Sequence, residues 1–253
     1  NKGFIVEAED LVYVSARMFS GGYYQAGSVV SKGLAALGKE FRAGSFENAG
    51  SNFDGTQSNY INFISVLATQ DNTTVNFSEF SNGITILNNT PTNDVLLNSG
   101  ESYVIAIRPY DPATDTYNYA NSAGLIGTLI ESDKPIAVNS GSLTGHNSFL
   151  NTDGSGQDIG IDQIAPVDRI GTEYIFVRGV GPDEVERPLI IAHEDNTEVY
   201  VNGVLYTTLD FAGEYTSIES IQYGVSYIID DYSAFSNVNN DGYPENTNGI
   251  PND

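Results

Sequence analysis

Calcium needs several hard oxygen ligands on a bent backbone, and two stretches of this chain supply them. The first is NTDGSGQDIGID, residues 151–162. It carries Asn151, Asp153, Ser155, Asp158 and Asp162, with Gly156 at the sixth position. The second is NVNNDGYPENTN, residues 237–248, with Asn237, Asn239, Asp241 and Glu245 and with Gly242 at the sixth position. The metal ligands expected from these stretches are Asp153, Asp158, Asp162, Asp241 and Glu245, and the expected ion is Ca2+. Both stretches open on Asn, and the first closes on Asp162 where a bidentate Glu would bind best. No helix signals flank either one, so an EF-hand is not expected. The alternative is a polar, turn-rich loop.

The other side chains able to do chemistry are few. There are two histidines and no cysteine. His193 sits in IAHEDNT, where the matching stretch LATQDNT has Thr69, so a place beside a turn is expected for it and not catalysis. His146 lies in the long Gly-rich stretch GSLTGHNSFLNTDGSGQDIGID. There is no G-x-S-x-G elbow and no H-E-x-x-H. With 33 acidic residues some carboxylate pair always looks plausible for glycoside hydrolysis, but sequence does not give the separation. The chain is expected not to be an enzyme. A secreted carbohydrate-active enzyme with paired carboxylates is one alternative, and a structural stalk or spacer is another.

Aromatic loops remain. MFSGGYYQAG (18–27) holds Tyr23 and Tyr24. RPYDPATDTYNYANSAG (108–124) holds Tyr110, Tyr117 and Tyr119. GSLTGHNSFL (141–150) holds His146 and Phe149. Tyrosine is a rigid amphipathic contact residue favoured at recognition surfaces and against sugar rings. Long loops on a rigid scaffold often carry function. These seven residues are the expected ligand contacts. The alternative is that the tyrosines only cover the ends of the fold.

The elements that must position these loops are strands. FISVLA, TTVNF, GITIL, SYVIAI, GTLIE, PIAVNS, EYIFV, PLIIA, EVYV and SYII alternate or run apolar for a few residues. QDNT, NSGE, ESDKP, EDNT and FAGE between them are turn chemistry. One stretch, SKGLAALGKEF (31–41), has a helical look, limited to a turn or two by Gly33 and Gly38. Asn202-Gly203 is a strong hairpin signal, and Val199, Val201 and Leu205 are expected to face a core.

The chain also repeats itself. ATQDNTTV (68–75) and AHEDNTEV (192–199) lie 124 residues apart, as do GFIVEAEDLVYVS (3–15) and GTLIESDKPIAVN (127–139). LAALGKEF resembles VDRIGTEY, and LNSGESY resembles DFAGEYT, in the same order. The expected architecture is all-β: two tandem sandwich-like repeats over 1–126 and 127–235, with an Asn/Asp/Gly-rich tail or linker over 236–253. A propeller of paired blades is the alternative. Asp71-Asn72 and Asp195-Asn196 then mark a turn of the fold, and function is expected where the copies differ.

Composition narrows the partners. Ten basic residues against 33 acidic give a net charge of −23, which excludes a nucleic-acid surface and disfavours anionic membranes. No apolar run approaches the ~20 residues that span a bilayer, so membrane insertion is not expected. The absence of cysteine rules out a disulfide framework and Cys-ligated zinc. The opening NKGFIVEAED reads as a mature or excised fragment.

The blocks KGLAALGKEF, FISVLATQDNTTV, GTLIESDKPIAVNSGS, DQIAPVDRIGTEYI and IIAHEDNTEVYVNG resemble the IgGFc-binding protein N-terminal domain family over most of residues 3–229. That family occurs in a mucus-associated animal glycoprotein and in secreted multidomain proteins of bacteria. The resemblance implies a β-rich extracellular recognition or adhesion module and carries over no catalytic set. Animal members are rich in Cys and this chain has none, which suits a bacterial surface protein. The expected function is adhesion or ligand binding at the cell surface. A glycan, glycoprotein or other surface ligand would be held by exposed loops that calcium stiffens.

Overall fold

The computed structural model describes residues 5–20, 25–44, 61–87, 94–111, 113–145, 158–176 and 188–218. Among these there is no α-helix, as the pattern of short apolar runs and turn residues predicts. The 31–41 stretch gives one 3-10 turn, Gly33–Ala36, before it turns extended. Its two glycines are the physical reason the turn does not propagate.

Seven strands form the main sheet: β3 (Leu37–Arg42), β4 (Asn62–Ala68), β5 (Thr73–Ser78), β6 (Val95–Leu97), β7 (Ser102–Ile107), β10 (Leu129–Gly145) and β11 (Asp158–Gln163). The remaining strands are β1 (Ser15–Ser20), β2 (Gln25–Val30), β8 (Tyr110–Asp111), β9 (Thr116–Tyr117), β12 (Leu189–Ile191), β13 (Thr197–Val201), β14 (Val204–Leu209) and β15 (Tyr215–Ser217). They form four antiparallel pairs: β1 with β2, β8 with β9, β12 with β15, and β13 with β14.

The 17-residue β10 organises the sheet. Its first half pairs with β5 and β3, and its second half with β4 and β11. GTLIE and PIAVNS, expected as two strands around an ESDKP turn, are one strand. The pairing with β3 shifts register between Glu131 and Ile136, so SDKP forms an irregularity within β10 and not a reversal. β10 starts just past residue 127, where a second unit is expected to begin, and pairs with β3, β4 and β5, which precede that point, as well as with β11, which follows it.

Burial explains the alternation. Ile64, Val66 and Ala68 of β4, Val75 and Phe77 of β5, and Ile105 and Ile107 of β7 pack with Ile130, Ile136 and Val138 of β10 in one core. Their neighbours along each strand are more exposed, the signature of a sheet with one covered face. A second, much smaller core holds Ala192, Val199 and Leu209, with Ile190 against it.

Three strand expectations need correction. GITIL makes only an isolated bridge, Ile86 to Ile107. Residues 173–176 of EYIFV are not in a strand, and Ile175 is 88% exposed. Leu205 does not face the core: the β13–β14 register skips Tyr206, placing Tyr200 opposite Leu205. A one-residue slip moves side chains to the other face, and Leu205 is half exposed while Val199 stays buried. The Asn202-Gly203 hairpin forms as expected, with φ of 50° and 80°, a turn with both central residues left-handed. SYII lies outside the described residues.

Candidate functional site

Three loops expected to carry function leave the fold at one end. Ile107, the last residue of β7, pairs with Asn62 at the start of β4. Asn62 pairs with Ser142 of β10, and Ser142 with Gly160 of β11. This row crosses the sheet. Just beyond it the 108–124 loop leaves β7, and the chain leaves β10 at Gly145 to re-enter at Asp158 of β11. The β1–β2 hairpin stands alongside. A Cβ on Gly27 would lie 2.5 Å from the Ile159 carbonyl oxygen, so only glycine lets β2 come this close to β11. The start of β2 at Gln25 therefore lies near the start of β11 at Asp158.

Just past the end of β2, Lys32 ties the chain to β11. The Lys32 ammonium donates to Asp162 Oδ1 at 2.6 Å and to the Gln163 carbonyl, and Gln163 Oε1 accepts from the Lys32 N–H at 2.5 Å. Asp162, expected as a metal ligand, thus holds an exposed ion pair with Lys32. Asp158 opens β11 opposite Gly145. No group of three or more His, Asp or Glu placed to hold a metal occurs among the described residues. Asp153, Asp241, Glu245, Tyr23, Tyr24, His146 and Phe149 lie outside them.

The 108–124 loop is the best-defined part of the site. Its hub is Asp111, which sequence reasoning passed over. Asp111 Oδ1 accepts from Arg108 Nη2 at 2.7 Å and from the Ala113 N–H at 3.1 Å, and Oδ2 accepts from Thr114 Oγ1. The Ala113 bond above all, with Thr114 and Arg108, holds the Asp111 carboxyl below its ordinary pKa. Tyr110, buried at the loop base, donates its hydroxyl to Asp115 Oδ1 at 2.8 Å, and Asp115 takes a φ of 52°. That bond, more than burial, raises the Tyr110 phenol.

A second hub is Asn121, 3% exposed. It donates to the Thr85 and Arg108 carbonyls and accepts the Thr85 N–H, so both amide hydrogens and the amide oxygen are engaged by backbone. Asn62 Nδ2 donates to the Ser122 carbonyl at 2.9 Å, which locks the loop to the sheet row itself. The signal in sequence was only Asn in NYANS, a pattern too common to single out.

The three tyrosines divide by role. Tyr110 is a fixed part of the base. Tyr117 is half-buried, with its hydroxyl 3.0 Å from Ser122 Oγ, and burial raises its phenol above the ordinary value. Tyr119 is 80% exposed, and its ring sits 4.1 Å from that of Tyr117. The result is an aromatic pair with one ring offered to solvent on a rigid mount.

His193 lies elsewhere. Its Nε2 is 3.6 Å from Glu40 Oε1, and its carbonyl accepts from Arg42 Nη2 at 3.5 Å. Arg42 also pairs with Glu79 and donates to the Gly127 carbonyl at 3.0 Å. This cluster joins β3 to the turns at Gly127 and His193.

No curated protein and no solved structure matches this chain. A family model, described as IgGFc binding protein, matches residues 26–249. It spans the main sheet, the 108–124 loop and the second DNT turn, so this chain belongs to the IgGFc binding protein family.

Proposed function

We propose that this chain is an extracellular ligand-binding module that recognises a glycan or glycoprotein on a surface through the loops at the Ile107–Asn62–Ser142–Gly160 end of its main sheet. The observation that carries this is that the 108–124 loop and the connection from Gly145 to Asp158 leave from one row of paired residues, with the β1–β2 hairpin against β11 beside it. Family membership supports ligand binding outside the cell. No described helix is long and apolar enough to cross a membrane. The Tyr119 ring, exposed and backed by Tyr117, suits stacking on a sugar face, and the Asp111 and Asn121 hydrogen bonds hold it ready before a ligand arrives. Calcium would stiffen the loop between Gly145 and Asp158 through Asp153 and its neighbours. Adhesion at a bacterial surface is the role we propose for that binding.

A glycan array tests the binding. The unmodified chain should give a defined signal that Tyr119→Ala and the double variant Tyr23→Ala with Tyr24→Ala reduce without changing the melting temperature. A signal indifferent to both variants would sink the proposal. Turnover of a sugar substrate, lost when one carboxylate becomes an amide, would replace it with the enzyme reading.

A further inference from the structure

Residues 127–139 and 3–15 share a sequence pattern, yet the fold treats them in opposite ways. Leu129–Val138 is the central run of the main sheet, with β5 and then β4 along one edge and β3 along the other. Ile130, Ile136 and Val138 are fully buried there. Their counterparts 124 residues earlier are Val6, Val12 and Val14. Among the described residues, Ile5–Tyr13 pair with no strand, and Ile5, Val6, Leu11 and Val12 are 62%, 56%, 105% and 63% exposed. Only Val14 is tied, its carbonyl accepting the Ser31 N–H where the β1–β2 hairpin begins.

The complementary gap is on the other half of the chain. β4 pairs with β7 as β12 pairs with β15, and β5 pairs with β6 as β13 pairs with β14. In the first set β10 joins β4 to β5. In the second, no described strand joins β12 to β13. The consequence shows in packing: the first set has a 14-residue buried core, and the core of the second holds Ala192, Val199 and Leu209, with Ile218 buried beside β15. Among the described residues, an apolar segment thus lacks a sheet, and β12 and β13 lack the strand that would run along both; exposed edges and apolar segments of this kind are aggregation liabilities unless they are covered.

We infer that Ile5–Ser15 is a donor strand that docks along the in-line edges of β13 and β12 of a second copy of this chain, as β10 runs along β5 and β4. Transposing the β10 registers by 124 residues sets Val6 opposite Val201, Ala8 opposite Val199, Val12 opposite Ala192 and Val14 opposite Ile190. Three of these acceptors already line or touch the small core. The donor also continues correctly. β10 runs on into its pairing with β11, and Ile5–Ser15 runs on into β1, which pairs with β2. One contact is not transposed: Lys134 donates to the Asp71 and Asn72 carbonyls, and its counterpart is Asp10. The donor and acceptor are different surfaces, so the contact is head-to-tail and builds chains or closed rings of copies.

The chain has no cysteine, so engineered thiols report cleanly. Val6→Cys and Val201→Cys are made in separate chains and mixed under mild oxidation. The expected product is a disulfide-linked dimer of one chain of each kind, with neither variant alone giving that yield. Sedimentation of the unmodified chain should show mass rising with concentration. Val12→Lys should weaken that association by more than about tenfold, because it would bury an unpaired ammonium. Its own melting temperature should hold, since Val12 is exposed. No cross-link in the mixture overturns the proposal. So does a double variant that closes within one chain at high dilution.

Discussion

Asp71 accepts the Ser99 backbone N–H through Oδ1 at 3.0 Å, and Asp195 accepts the Ala212 N–H through the same atom at 2.8 Å. The likeness extends around both turns. Thr73 Oγ1 donates to the Gln70 carbonyl and Thr197 Oγ1 to that of Glu194, each at 2.7 Å. Glu101 accepts the Asn98 N–H, and Glu214 accepts those of Asp210 and Phe211. Asn72 and Asn196 take φ of 54° and 56°. The DNT motif is a device that clips one turn to the turn of the adjoining strand pair.

Removing the clip should cost stability and nothing else. Asp71→Ala and Asp195→Ala each lose a charge-assisted bond to backbone, about 1 kcal/mol at these exposed positions. Asn72→Val should cost more than Asn72→Gly, because a β-branched residue resists the left-handed region. Urea unfolding ranks the set. Equal midpoints for Asn72→Val and Asn72→Gly would contradict the turn geometry.

Much of this was legible beforehand because it is local. The DNT turns, the Asn202-Gly203 hairpin and the β4 and β5 alternation depend on neighbours a few residues away. What sequence could not give was pairing at a distance. SDKP has turn chemistry, but β3, β4 and β5 hold the strand through it. Residues 173–176 have strand chemistry but no described strand beside them. The tyrosines were visible as a set, yet only the fold separates Tyr110, buried on Asp115, from Tyr119, open to solvent. Asp111 and Asn121 stayed hidden because their partners are backbone groups whose positions no motif encodes.

The core prediction contrasts β10 with the exposed stretch at 175. Ile130→Ala and Ile136→Ala should each destabilise by about 2–5 kcal/mol, as buried large-to-small changes do. Ile175→Ala should fall within about 0.5 kcal/mol of the unmodified chain, since its side chain is 88% exposed. A large loss at Ile175 would mean that it packs on something.

Two glycines separate backbone strain from crowding. Gly127 and Gly203 take φ of 85° and 80°. A Cβ on Gly203 meets nothing within 4 Å, so Gly203→Ala costs only the left-handed penalty, about 1 kcal/mol. A Cβ on Gly127 would lie 1.9 Å from the Gly213 carbonyl oxygen. Gly127→Ala should therefore melt several degrees below Gly203→Ala, and equal melting temperatures would rule out the close approach.

Calcium gives a prediction with its own readout. If the Gly145–Asp158 connection binds the ion, millimolar calcium should raise the melting temperature above that in chelator, and Asp153→Asn should remove most of the difference. Magnesium at the same concentration should do less, because it resists giving up its water. Identical melting curves in calcium and chelator would dismiss the stiffening role while leaving the aromatic loop untouched.

The Asp111 hub predicts an acid-side pH dependence. Its folded pKa is lowered, chiefly by the Ala113 N–H, so its contribution is present above the ordinary carboxylate value and lost as pH falls through the folded one. Tyr110 works in the opposite sense. Its raised pKa means a contribution present below the ordinary phenol value and lost as pH climbs through the folded one. Melting curves below about pH 4 should flatten in Asp111→Asn relative to the unmodified chain. Tyrosinate absorbance at alkaline pH should lose part of its late-titrating component in Tyr110→Phe, with Tyr117 and Tyr200 supplying the rest. Because Arg108, Ala113 and Thr114 all bind the Asp111 carboxylate, its protonation should also loosen the mount of Tyr119. Ligand binding should then weaken in acid before the chain unfolds, and a binding curve that follows global unfolding instead would separate the loop from the site.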